Sequence, residues 1–354
     1  MKTYKYLMTL KPLEPFFFGG EYTFGADDNR GEASRYSAKS TYFPQQTALL
    51  GMLRKTMLIQ NGNLTMHKKG EWVDSKGKGN VSKNYDEAVA LVGSRPFSYE
   101  SEIDLGIIKA ISPVFIKSDN DFFIVNAKDH TYKVEELSSS MLIQNNTIQN
   151  TIIFEGFDTK DYKDDEFISQ SGTIKSFSDF YKDVFTIGIK KSNNGAAEEN
   201  AFFQKTSYSF HNKETFAVIV SLSEQLTWDH AQVTLGADQS SFMLEIKESP
   251  KDFSSMFENI YAEKQISRMI LTSEAYIDKK AHEHIKFVFG NRKPYRQLID
   301  AKHGYKSKRR YYLLERGSIL YSDNIEALEE QINKSHLQQA GINHYIIKKG
   351  TKNV

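Results

Sequence analysis

Nine histidines and no cysteine bound the chemistry open to this chain. Lack of cysteine excludes disulfides, thiolate zinc sites and cysteine nucleophiles together. His282-Glu283-His284 would bring two imidazoles to one side of a strand, the beginning of a metal site. Zinc needs further ligands, and none stands at a suitable spacing, so a purely structural segment is the better reading. His303 lies within a basic run and His344 beside the last expected strand; either could touch a phosphate or serve as general acid or base for RNA cleavage. Nothing identifies a base positioned against a substrate, and no catalytic or metal-binding residue is assigned.

Phosphate-binding loops are equally sparse. There is no Gly-x-x-x-x-Gly-Lys-Ser/Thr motif. Gly19-Gly20 with Gly25 follows a strand but opens no helix, so no dinucleotide fingerprint results. Asp27-Asp28 could hold magnesium with a phosphate, although an acidic pair in a loop usually caps or is solvated.

Basic residues interleaved with aromatics are the stronger signal. Arg30, Arg35 and Lys39 occupy a glycine-bearing loop region ahead of Arg54 and Lys55; Lys190-Lys191 precede Gly195; and Arg292-Lys293-Pro294-Tyr295-Arg296 alternates cations with a ring. Such clusters pair with phosphates and stack on bases, a contact worth about 1–3 kcal/mol per base. Net charge is only +1, yet Arg292–Arg310 holds eight Lys/Arg against Asp300, and Glu155–Glu166 holds six acids against two lysines. Surfaces of opposite sign suit a subunit meeting nucleic acid on one side and protein on another; two solvated loops are the plain alternative.

These residues need a scaffold. At 354 residues the prior is about two domains, and 24 Phe with 19 Tyr favour a strand-rich or mixed fold. No apolar run reaches membrane-spanning length, and the opening Met1–Tyr6 leads into a strand rather than a signal core; a cytoplasmic location is expected. Residues 4–10 read as a strand and 47–59 as a helix, opened by Pro44 and Thr47, with Leu50, Leu53 and Met57 on one face and Asn61-Gly62 at its end. Gly51 inside that helix points to close packing or to a ligand approaching closely. Residues 63–84 look like a surface insertion and 130–175 like a long excursion with short strands. A hairpin turns at Ser118–Asp121; strands are expected over 184–189, 201–210, 216–222 and 241–246, with a polar segment that could be helical after 222. Of Phe16-Phe17-Phe18, one ring is expected to be exposed.

Beyond Pro250 a second unit carries strands over 269–277, 311–314, 317–321 and 345–347, and a helix capped by Asp323 with Ile325, Leu328 and Ile332 on one face, ending at Gly341. The fold class is α+β. A split βαββαβ, ferredoxin-like (RRM-like) order fits both halves, placing one domain over 1–248 and a second over 249–354.

Several motifs in order resemble the RAMP superfamily of CRISPR effector proteins, and most closely the type III-B Cmr subunit that caps the 5′ end of the guide RNA. They are Leu10-Lys11-Pro12-Leu13-Glu14-Pro15-Phe16-Phe17, Phe43-Pro44-Gln45-Gln46-Thr47-Ala48-Leu49-Leu50-Gly51-Met52-Leu53-Arg54, Ile187-Gly188-Ile189-Lys190, Ala197–Phe203, Leu235–Phe242 and Arg316–Tyr321. Departures include Phe18-Gly19-Gly20-Glu21 in place of an Arg-Asp-Gly-like turn, and Gly236-Ala237-Asp238 in place of Gly-Gly-Glu. The resemblance implies two ferredoxin-like domains, the second degenerate, and a β-hairpin thumb. It implies a binding subunit without enzymatic activity or cofactor. Its partners would be the crRNA 5′ handle, the large polymerase/cyclase-like subunit and neighbouring backbone RAMP subunits. By position Arg54 and Lys55 would face the handle with Arg30, Arg35 and Lys39 nearby, and Lys190 and Lys191 come second; Arg292, Lys293 and Arg296, in the basic run 292–310, would face either RNA or a protein neighbour. The alternative within the superfamily is a metal-independent endoribonuclease processing precursor crRNA. From another class comes a protein-binding scaffold with solvated basic loops.

Overall fold

The computed structural model describes residues 2–20, 22–26, 33–63, 66–68, 71–73, 81–94, 97–127, 132–136, 150–154, 166–191, 194, 197–236, 238–249, 251–296, 298–300, 305–306 and 308–351. Sheets predominate, mostly antiparallel, with few helices, as the aromatic and β-branched content requires. The chain forms two compact units that are discontinuous in sequence. Unit 1 comprises 1–98, 103–120 and 177–250; unit 2 comprises 99–102, 121–176 and 251–354. The excursion 121–176 thus groups with the later residues.

In unit 1 the elements are β1 (Tyr4–Pro12), β2 (Tyr22–Ala26), β3 (Ala33–Lys39), α1 (Gln46–Gln60), α2 (Val81–Val92), β4 (Ile108–Ile111), β5 (Phe115–Ser118), β6 (Tyr181–Lys191), β7 (Ala197–Phe210), β8 (Thr215–Leu222), β9 (His230–Leu235) and β10 (Ser240–Glu248). One sheet runs β5-β8-β1-β10-β9 with β4 also on β8. Within it β1, β8 and β10 pair antiparallel with their neighbours. The crossover after β1 carries α1, but the one from β8 to β10 carries strand β9 where a second βαβ unit would put a helix. The polar residues after 222 therefore lead to an edge strand: His230, Gln232 and Thr234 face out while Ala231, Val233 and Leu235 are buried, a period of two. α1 packs against β9.

All of Phe16, Phe17 and Phe18 are buried, against the expectation of one exposed ring. The backbone of Phe16 bridges Tyr208, and its ring meets Phe18, Phe210, Phe216 and Phe242 at centroid distances of 5.0–6.1 Å. Gln46, at the start of α1, is also buried. Its amide donates to the Ser112 carbonyl (2.7 Å) and accepts from the Val114 amide (3.3 Å), as a neighbouring strand would. That leaves neither partner of the Ser112–Val114 bend unsatisfied.

Unit 2 contains β11 (Arg268–Leu271), β12 (Ala275–Tyr276), α3 (Lys279–His282), β13 (Phe287–Phe289), β14 (Arg292–Tyr295), β15 (Tyr311–Leu314), β16 (Ile319–Tyr321), α4 (Ile325–Ile332) and β17 (Tyr345–Lys348), with short strands at Asp121–Val125, Glu166–Ser169 and Ile174–Ser176. Its sheets run β13-β16-β11-β17 and β12-β15-β14. α4 buries Ile325, Leu328 and Ile332 against Met269, Leu271 and Leu320, the i, i+3, i+7 face read in the sequence. Its N-cap is Asn324, whose Oδ1 accepts from the Ala327 amide at 3.0 Å, and not Asp323, which pairs with Lys286 at 3.2 Å. The helix ends at Asn333, and a separate short helix, Ser335–Gln339, precedes Gly341.

Candidate nucleic-acid interface

α1 offers two different cations. Arg54 is half-buried and donates from Nη2 to the Gly93 carbonyl at 3.0 Å. Gly93 is the left-handed residue (φ 83°) just beyond α2. A cation is favoured there because carbonyls at a helix end carry partial negative charge. Burial pulls the Arg54 pKa below its ordinary value, with Asp104 acting in the opposite sense. The Asp104 carboxyl is held low chiefly by the Ser94 amide, then by the Gly106 amide and the Ser94 hydroxyl. Arg54 thus latches α1 to the end of α2, whereas Lys55 is exposed. Gly51, one turn before Lys55, is exposed too, and a Cβ built on it would meet nothing within 4 Å. Packing within the described protein therefore does not explain this glycine.

A second sheet of unit 1 runs β6-β7-β3-β2, with β7 and β3 parallel. At its base Tyr42, Phe177, Tyr181 and Tyr208 interlock at 4.2–5.9 Å. Beyond this base the hairpin β6–β7 extends with Phe185, Ile187 and Ile189 on one face, 61%, 65% and 41% exposed. Their cross-strand partners are Thr206, Gln204 and Phe202, and these in turn register with Lys39, Ser37 and Arg35 of β3. A row of apolar side chains is therefore in phase with the ladder positions of Arg35 and Lys39. Lys39 is exposed, its ammonium 6.0 Å from the centroid of Tyr208.

On the other face Gly188 opposes Phe203, and a Cβ there would fall 2.1 Å from the Phe203 ring. Only glycine lets that ring lie over the strand. Lys190 belongs to β6 in phase with Gly188, and a register irregularity separates Ile189 from Lys191. Arg30, the Asp27-Asp28 pair, His303 and the acids from Glu155 to Asp165 lie outside the described residues.

In unit 2 the basic motif divides by strand alternation. Lys293 points inward to an ion pair with the buried Glu274, and Tyr295 stacks edge-on to Tyr99 at 5.5 Å. Burial pushes the Glu274 pKa up, but Lys293 and Arg316 outweigh it and leave the carboxyl below its ordinary value. The Lys293 charge is thereby engaged inside the protein, unlike those of Arg292 and Arg296, which are exposed. Arg292 approaches His282 Nε2 at 3.3 Å.

The histidine candidates are placed as follows. His282 closes the helical turn α3, with Glu283 as its C-cap, so His282 and His284 are not alternate residues of a strand; among the described residues no cluster of three or more metal-ligating side chains occurs. Burial lowers the His344 pKa, and its Nε2 lies 2.9 Å from the Gln338 carbonyl, to which it donates. Among the described residues, no helix is long and apolar enough to cross a membrane.

The apolar row on β6 was missed by sequence reasoning. Phe185-Thr186-Ile187-Gly188-Ile189 does alternate, and alternation signals one apolar strand face. It does not say whether that face is covered.

No family model and no curated protein matches the chain. Among solved structures, a chain of the type III-B Cmr-beta complex bound to cognate target RNA superposes with a TM-score of 0.53 at 12% identity, covering 98% of this chain and 99% of the other. A chain of the same complex with target RNA and AMPPnP gives 0.51 at 12% identity, over 97% and 99%. The α+β fold is thus shared, end to end, with chains of a type III CRISPR effector complex.

Proposed function

We propose that this protein is a non-catalytic, RNA-binding subunit of a type III-B CRISPR (Cmr) effector complex. In this reading it holds the repeat-derived 5′ handle of the crRNA and joins the large polymerase/cyclase-like subunit to the backbone RAMP subunits. The observation that carries the reading is the whole-length fold likeness to chains of an RNA-bound Cmr-beta complex. The geometry of unit 1 supports it. Hairpin β6–β7 presents an uncovered apolar row in phase with Lys39, and Lys55 faces solvent on α1. Apolar side chains beside cations suit unstacked bases and their phosphates, the usual terms of single-stranded RNA recognition. A general acid or base needs access to the scissile 2′-OH, and the half-buried His344 already donates its Nε2–H to the Gln338 carbonyl.

The test is purification of the tagged protein from its native host and sequencing of the bound RNA. Short RNAs with one common repeat-derived 5′ end, together with several protein partners, are expected. Recovery of the chain alone, or conversion of repeat RNA to fragments ending in a 2′,3′-cyclic phosphate, overturns the proposal.

A further inference from the structure

The outer face of the β14–β15 pair in unit 2 has a composition its fold does not require. Alternation turns Lys293, Tyr295, Tyr311 and Leu313 inward, the last two buried, and Pro294 and Tyr312 outward. Pro294 and Tyr312 are cross-strand partners, and Tyr312 is 55% exposed. Their Cα atoms therefore lie about 5 Å apart, close enough for ring and pyrrolidine to form one flat apolar platform. The last pair of this ladder is Tyr295 with Tyr311. Arg296 follows the first of these and Arg310 precedes the second, both exposed. Two like charges meeting at the end of an antiparallel ladder repel. Neither pairs with a described residue, whereas adjacent Arg309 is tied to Glu100 at 2.5 Å and lies over the Tyr311 ring.

We propose that the Pro294–Tyr312 platform with Arg296 and Arg310 is a second single-stranded RNA surface, on which a base stacks over Tyr312 while the two guanidiniums take the flanking phosphates. Guanidinium recognises phosphate through paired, charge-assisted hydrogen bonds, and a polyanion relieves the repulsion between the two arginines. The flat platform beside them selects a base-bearing polyanion over an acidic polypeptide, since every base presents a π-face to stack. The proposal rests on the reading of the chain as an RNA binder, but it uses residues of unit 2 that the handle-facing set of unit 1 does not include.

The experiment measures binding of a fluorescein-labelled oligoadenylate to the full chain between about 50 and 200 mM salt. Four variants are compared: Tyr312→Ala, Tyr312→Phe, the double Arg296→Ala/Arg310→Ala, and Lys55→Ala with Lys39→Ala in unit 1. All substituted side chains are exposed, so unchanged thermal midpoints are expected. Loss of the ring should weaken binding roughly 5- to 150-fold, and Tyr312→Phe should restore it. The double arginine variant should lower the salt slope by about 1.4, at about 0.7 per phosphate contact on a single strand. Normal binding by the Tyr312→Ala and double arginine variants overturns the inference. If the unit 1 variant then still weakens binding, the handle reading stands without it. Equal affinity of labelled polyglutamate, indifferent to Tyr312→Ala, would instead mark an acidic protein partner and also overturn it.

Discussion

Replacing Gly51 by alanine separates what the folded chain needs from what it presents to a partner. Glycine in a helix interior is less favourable than alanine by about 0.5–1 kcal/mol, because the unfolded chain loses more freedom on ordering. Gly51 lies inside α1 (Gln46–Gln60), on its exposed side, and an added Cβ meets no atom within 4 Å. No strain or clash offsets the gain, so Gly51→Ala should stabilise the isolated protein by nearly the whole of it. For a unit of this size 1 kcal/mol shifts the melting midpoint by about 2–4 °C, so a rise of about 1–4 °C is expected. Urea unfolding should give a higher midpoint with an unchanged slope. The same variant should assemble less well with RNA or partner subunits if a neighbour comes close to the helix backbone at this point. A lower melting midpoint would refute the structural argument, since it would mean that the exposed face of α1 is packed in the folded chain. A stabilised variant that assembles normally would refute the idea that this glycine serves a contact.

Other substitutions test the remaining assignments. Arg54→Ala should cost about 1–2 kcal/mol through loss of a charged hydrogen bond to Gly93, while Lys55→Ala should stay within about 0.5 kcal/mol; equal effects in urea melts would remove the latch. Gln46→Ala should cost about 1–3 kcal/mol by stripping partners from Ser112 and Val114, and a neutral result would mean that water replaces the amide. Lys293→Met leaves Glu274 buried without its nearest cation and should destabilise by about 3–5 kcal/mol. Because the folded Glu274 pKa is depressed, its stabilisation is complete above the ordinary glutamate pKa of about 4.3 and lost as pH falls through the lower folded value. Melting curves of wild type and Lys293→Met should therefore converge on acidification, and parallel curves would argue against the pair. Gly188→Ala should displace the Phe203 ring and loosen hairpin β6–β7, seen as faster amide exchange across 185–189 with little change elsewhere.

Local pattern alone determined a good part of this protein. Apolar residues at helical spacing fixed α1 and α4, since a helix with one apolar stripe has a single face to bury. Alternating and apolar runs gave β1, β8, β10 and the strands near 270, 312, 320 and 346. The absence of cysteine removed whole classes of chemistry, and the ordered motifs pointed to a fold that the solved Cmr-beta chains share. α2 escaped because its first turn falls within the polar stretch 63–84 that reads as an insertion; β9 escaped because its outward half reads as loop.

What tertiary structure decided was the assignment of each charge and ring to inside or outside. Arg54 and Lys55 are neighbours of like charge, yet one closes a helix end and the other meets solvent. Lys293 and Arg296 stand three residues apart in one basic motif, and strand alternation sends one to Glu274 and leaves the other outside. Phe16-Phe17-Phe18 and Phe185-Thr186-Ile187 are equally apolar to the eye; the first is buried by strands 190 to 225 residues away in sequence, and the second is left bare. Burial depends on which distant segments arrive on a face, and a sequence read by its local periodicity carries the face without the neighbour that covers it.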